Sequence, residues 1–296
     1  MSLTVSEELL PKQPLVTDLY LRELIAADVP KPTALGTPAR FSDAGGCSRA
    51  IGYSALGVEP TNPMDAPGKW VTNLGTLIHE EVQAAMLRRY PNAQVEVPSM
   101  VSGVISGSCD GLIPESDLQT VAPWWGGGHA IYELKTMGSF AYDKQIGLKR
   151  RARKIEEPEG PKFEAILQAG LNAIGTGAST LIMGSISMEA VSIQLAQSTG
   201  LDEISRVMSE FVLSRAYWQN PAALEAARIT KVVFDVQADR LPAREVVTSL
   251  EGERLSISPS SNRPHWRCTY CKFQNRCIED GGSDLVPVDI RRSANA

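Results

Sequence analysis

The chain has 296 residues, a formal net charge of −5 at pH 7, 43% hydrophobic and 21% charged residues, and five cysteines. This is the balance of an ordinary globular protein with a sizeable core, long for one average domain but within the range of a single α/β domain with additions. It argues against nucleic-acid binding by the surface as a whole, though not against a local basic groove, and with no apolar run long enough to span a bilayer the expected location is cytoplasmic, with no membrane partner.

Residues 1–15 contain prolines and no periodic pattern, and residues 16–27 are expected to form a short amphipathic helix. The Pro- and Gly-rich segment 30–46 is expected to be loop. Cys47-Ser48-Arg49-Ala50 then opens a helix that Gly57 and Pro60 close. Over residues 73–90, Leu74, Leu77, Ile78, Val82, Ala85 and Met86 recur at helical spacings of three and four, with His79 bordering the stripe. Short strands are expected at 94–97 and 101–106, the second running into Cys109-Asp110-Gly111, and residues 114–128 are expected to be loop.

Ile131-Tyr132-Glu133-Leu134-Lys135 is bounded by Gly126-Gly127-Gly128 and a polar exit, which predicts a strand. Period-two alternation puts Glu133 and Lys135 on one face and Tyr132 and Leu134 on the other. An isolated carboxylate–amine pair of this kind is an ordinary solvated edge. It becomes chemistry only if other acidic or metal-binding residues reach the same face.

The densest basic stretch, 140–162, reads as a solvated helix face, and within it Lys149, Arg150, Arg151 and Arg153 are the candidates for a DNA groove. A helix carrying Gln168 is expected at 163–174, a strand at 180–188, a long helix at 201–219 ending before Pro221, and a strand at 231–237.

In order, His79 on a helix, Asp110 after a strand, Glu133-x-Lys135 on the next strand and Gln168 on the next helix have the layout of a metal-dependent nuclease core. Two carboxylates from adjacent strands suit a hard cation such as Mg²⁺ or Mn²⁺. Gly75 to Glu80 (GTLIHE), Cys109 to Ile113 (CDGLI), Tyr132 to Thr136 (YELKT) and Gln168 to Asn172 (QAGLN) resemble the motifs of the PD-(D/E)XK nuclease superfamily. Within its RecB branch the similarity is to CRISPR-associated RecB-type exonucleases of the fourth Cas family, phage-encoded relatives included.

The resemblance implies a restriction-endonuclease-like α/β core with a mixed central sheet flanked by helices. It implies His79, Asp110, Glu133 and the Leu134 carbonyl as metal ligands, Lys135 as the catalytic lysine and Gln168 beside it. The last motif ordinarily ends in Tyr where Asn172 stands. The same resemblance implies that Cys47, Cys268, Cys271 and Cys277 hold a [4Fe-4S] cluster in a lobe built by the two ends of the chain. A four-cysteine Zn²⁺ site is the alternative that spacing leaves open. Cys109 is left as a small core residue.

The expected organisation is residues 1–72 as a helical segment giving one cysteine, 73–240 as the nuclease core and 241–296 as the iron–sulfur segment and tail. The implied activity is metal-dependent cleavage of DNA, single-stranded and from an end. Two alternatives remain open: an RNA nuclease, or a non-catalytic DNA-binding or assembly module working with CRISPR adaptation or recombination proteins.

Overall fold

The computed structural model describes residues 35–248, 268, 270–280 and 285–289; the helix expected at 16–27 lies outside them. In chain order the elements are β1 (Ala39–Arg40), α1 (Ser48–Ala55), α2 (Ala66–Arg89), β2 (Val97–Val101), β3 (Ile105–Cys109), β4 (Gly111–Ile113), α3 (Glu115–Val121) and β5 (Ala130–Met137). They continue with α4 (Ser139–Ile146), β6 (Leu148–Lys149), β7 (Lys154–Ile155), α5 (Phe163–Thr176), β8 (Thr180–Ser187), α6 (Ile193–Thr199) and β9 (Met208–Ser214). The last are α7 (Arg215–Gln237), β10 (Arg244–Thr248), α8 (Gln274–Glu279) and β11 (Leu285–Asp289).

Two sheets carry the architecture. One has the order β4-β5-β8-β9 and is mixed, with β5 and β8 parallel and both outer pairings antiparallel; the other has the order β1-β3-β2. The expected mixed α/β fold with flanking helices is therefore present. Asp110 is the single residue between β3 and β4, where the chain passes from one sheet to the other.

Helix α5 packs against both sheets, because Ala165 to Ala173 is an almost unbroken apolar run buried on all sides. Its other side meets α7, where a Cβ on Gly170 would stand 2.7 Å from the Ala222 Cβ. The two backbones approach only because this position has no side chain. Leu167, Leu171, Ile105, Ile229 and Val233 fill the core between α5, α7 and β3, and Ile131, Leu181, Met183 and Trp218 fill it beneath the larger sheet.

Helix α2 begins earlier than its apolar pattern predicts, at Ala66, because the Asp65 carboxylate caps the Gly68 N–H at 2.9 Å and Pro67 sits in the first turn. Its inward face runs through Gly75, His79, Gln83 and Met86; Leu77, expected in the stripe, is exposed. The strands expected at 94–97 and 101–106 fall about three residues later, because Ser102 and Gly103 take positive φ and place the hairpin turn there. Segment 114–128 contains helix α3, and 30–46 contains β1 with Ala39 and Phe41 in the core.

The largest correction lies between 201 and 237. Residues 208–214 form strand β9, with Ser209, Phe211 and Leu213 less exposed than Met208, Glu210 and Val212 between them, and the expected strand at 231–237 is the end of α7. Pro221 stands inside α7 instead of terminating the preceding helix. A helix-interior proline costs about 3 kcal/mol, and burying one large apolar side chain returns about 1.5–3 kcal/mol. Trp218, Ile229, Val232, Val233 and Val236 bury one face of α7, so tertiary packing overrides the local stop signal.

Candidate active site

Glu133 and Lys135 lie two residues apart on β5 and share a face, as alternation predicts. The Lys135 ammonium donates to Glu133 Oε1 at 2.8 Å and to Gln168 Oε1 at 3.0 Å, which ties β5 to α5. Glu133 is 2% exposed and its Oε2 has no partner among the described residues. Burial pushes its carboxyl up to about 7, against the pull of Lys135; the Asp110 charge pushes the same way as burial.

The second acidic residue arrives from the sheet junction. Asp110 Oδ2 accepts from the Leu134 N–H at 2.6 Å, and Oδ1 lies 3.1 Å from His79 Nδ1. This is possible because β4 pairs with β5 only as far as Tyr132, leaving the edge of β5 open from Glu133 onward on that side. An extended residue turns its N–H and C=O to the same edge. The Leu134 carbonyl is therefore on the Asp110 side as well.

Helix α2 brings His79 in because it crosses β5 closely: a Cβ on Gly75 would lie 3.1 Å from Thr136 Oγ1, and His79 follows on the same face one turn later. The hydrogen bond to Asp110 raises the His79 pKa, against the effect of its partial burial. Gln83, a further turn along, donates to the Asp110 backbone carbonyl at 3.1 Å. Sequence reasoning missed Gln83, although its i+4 spacing from His79 was the available signal. Asn172, in the position where the resembled motif has Tyr, is fully buried and donates to the Ser108 carbonyl at 3.3 Å, bracing the strand that delivers Asp110.

His79, Asp110, Glu133, Lys135 and Gln168 thus come together as a linked pair and trio: His79 with Asp110, and Lys135 with Glu133 and Gln168. Among the described residues no three His, Cys, Asp or Glu side chains are grouped so as to hold a metal ion. The donor types nevertheless suit a hard cation, since they include two carboxylates, an imidazole and a backbone carbonyl, and the buried Glu133 Oε2 accepts no hydrogen bond among the described residues.

The basic candidates lie on and around the β6–β7 hairpin instead of a helix face. Arg150 donates through Nε and Nη2 to the two carboxylate oxygens of Asp143, with the Nη2 contact at 2.9 Å. Lys149 and Lys154 share Glu156, at 3.6 and 2.6 Å. Arg151 and Arg153 are exposed and have no ion-pair partner among the described residues.

The late cysteines belong to a segment docked on α1, the helix that follows Cys47. Tyr53 of α1 donates to Asp280 Oδ2 at 2.8 Å and packs its ring 5.4 Å from that of the buried Phe273. The Asn62 N–H donates to the Lys272 carbonyl at 2.9 Å, and the Asn275 N–H to Asn62 Oδ1 at 3.0 Å. Cys47, Cys268, Cys271 and Cys277 are half-buried, whereas Cys109 is fully buried in the core and its thiol is pushed up to about 12 by desolvation.

No family model and no curated protein matches the chain. Among solved structures it is similar to SSO0001, with a TM-score of 0.45 and 17% identity over 90% of this chain and 97% of that one. It is also similar to LHK-Exo, an alkaline exonuclease from Laribacter hongkongensis, with a TM-score of 0.42 and 14% identity over 74% of this chain and 93% of that one. The complex of LHK-Exo with dAMP gives a TM-score of 0.42 and 13% identity over 68% of this chain and 88% of that one. No helix among the described residues is long and apolar enough to cross a membrane.

Proposed function

We propose that the protein is a metal-dependent nuclease acting on DNA, with single strands and free ends as its substrate. The observation that carries this reading is the meeting of Asp110, Glu133 and Lys135 at the open edge and adjoining face of one strand, with Gln168 and His79 against them. Asp110, Glu133, His79 and the Leu134 carbonyl would hold Mg²⁺ or Mn²⁺. When bound, such an ion polarises a phosphodiester and lowers the pKa of a water.

The chain's own residues supply the rest. An ammonium has three donors; Lys135 uses one on Glu133 and one on Gln168, and the third is left for a phosphate oxygen or an attacking water. Gln168 fixes the lysine from the helix side, so Lys135 is aimed without ordering cost at the moment of reaction. Asp110 is held in place by the Leu134 N–H and His79, and its remaining lone pairs are available.

In the same reading Cys47, Cys268, Cys271 and Cys277 hold a [4Fe-4S] cluster, supported by the docking of the 270–280 segment on α1. CRISPR adaptation or recombination proteins are the partners that the motif resemblance suggests. Cleavage of end-labelled linear and of circular single-stranded DNA, with Mn²⁺ and with EDTA, tests the activity. Loss of label from linear strands only with Mn²⁺ is expected. No cleavage of either substrate by wild-type protein at any Mn²⁺ or Mg²⁺ concentration would sink the reading.

A further inference from the structure

On the Lys135 face of the larger sheet lies a cavity of about 240 Å³. Lys135, Met137 and Ser185 line it from β5 and β8, Gln168 from α5 and Gln145 from α4. Gln145 is 4% exposed and is fixed by bonds from its Nε2 to Ser185 Oγ at 2.7 Å and Ser209 Oγ at 3.1 Å. The cavity therefore has a rigid polar wall and opens beside the candidate catalytic lysine.

The chain leaves this cavity at Met137 and three residues later presents Phe140 in the first turn of α4, 74% exposed. The same helix buries Tyr142, Asp143 and Gln145, and Tyr142 is anchored by its hydroxyl to the Ser205 carbonyl at 3.0 Å. A firmly packed helix thus holds a phenyl ring in water, forgoing about 1.5–3 kcal/mol that burial of such a side chain provides. Lys144, one turn on, places its ammonium 5.3 Å from the ring centroid. A cation over one face leaves the other face open to a flat partner. The β6–β7 hairpin carries Arg151 and Arg153, which have no ion-pair partner among the described residues, between its strands, and the segment after it returns to the end of α4, where the Glu159 N–H donates to the Lys144 carbonyl at 3.2 Å.

We propose that Phe140 is a stacking platform for an unpaired base of a DNA strand whose backbone runs past the cavity at Lys135, with Lys144, Arg151 and Arg153 neutralising its phosphates. The proposal rests on the nuclease reading of the site and names the form of substrate it takes. Every base has a π-face, so such a platform is tolerant of sequence. In a closed duplex those faces are already covered by neighbouring bases, so the platform favours single strands.

The test is the affinity of the full chain for a fluorescent single-stranded oligonucleotide and for a covalently closed duplex without ends, measured by anisotropy in EDTA. Phe140→Ala is expected to weaken single-strand binding roughly 5- to 100-fold, the range of one lost base stack. Phe140→Trp retains it, and closed-duplex affinity is the same in all three proteins. Wild-type single-strand affinity in Phe140→Ala, or an equal loss on both substrates, overturns the platform. The nuclease reading fails separately: protein that binds single strands through Phe140 yet never cuts them keeps the platform and loses the activity.

Discussion

The Leu134 N–H donates to Asp110 Oδ2 at 2.6 Å, so one acidic residue of the candidate site is fastened to the strand that carries the other. Asp110→Asn can keep an oxygen for that N–H while losing the charge. Asp110→Ala leaves the donor unpaired, at a cost of about 1–3 kcal/mol. Both are expected to abolish cleavage, but only the alanine variant lowers the melting temperature by several degrees. Cleavage at the wild-type rate in Asp110→Asn places the chemistry elsewhere.

Glu133 makes metal-free stability depend on pH. Its folded pKa, pushed up to about 7, lies above the usual carboxylate value of 4.5, so between these values the folded chain binds more protons than the unfolded one. The Glu133 contribution to stability therefore falls as pH rises from about 4.5 through 7 and is constant above. Glu133→Gln removes this dependence and should be inactive. Denaturant melts in EDTA at pH 5 and pH 8 measure the difference; an equal pH response in wild type and variant contradicts the assignment.

The arginines of the hairpin should separate in their effects. Arg151→Gln and Arg153→Gln each remove a charge with no ion-pair partner among the described residues, and each is expected to flatten the log–log salt dependence of single-strand binding by about 0.7. Arg150→Gln removes a charge already committed to Asp143 and leaves the slope unchanged. Binding measured from low to physiological salt decides. A slope that responds to Arg150 as strongly as to Arg151 shows that the Asp143 pair opens on DNA.

Protein purified without oxygen is expected to be brown and to contain iron. Cys47, Cys268, Cys271 or Cys277 replaced by Ala should lose the colour, and solubility with it, since such sites are coupled to folding. Cys109→Ala keeps the colour and pays only for a small cavity. Colourless protein with stoichiometric zinc replaces the metal while sparing the ligands; equal behaviour of Cys47→Ala and Cys109→Ala removes the ligands too.

The site was far more legible in the sequence than the path of the chain around it. Glu133 and Lys135 could be placed on one face because strand alternation is a local rule, whereas His79, Asp110 and Gln168 joined them only through the order of the motifs. The end of α7 and strand β9 were not legible, because Pro221 is a strong local stop that the buried face of Trp218, Ile229 and Val233 outweighs. The pairing of Arg150 with Asp143 was hidden for the opposite reason: a seven-residue separation becomes contact only once α4 ends at Gly147 in a left-handed turn and the hairpin folds back.

Asp110 occupies the one-residue link between two sheets, and Glu133 lies inside one of them, so the gap between the two carboxylates is a lever arm for any tilt of sheet against sheet. Helix α5, which touches both, sets that tilt. A substitution deep in its packing, such as Leu171→Ala or Gly170→Ala, removes none of the candidate reacting groups but can misalign them before it unfolds anything. Catalytic rate in such variants is then a finer gauge of core geometry than heat resistance.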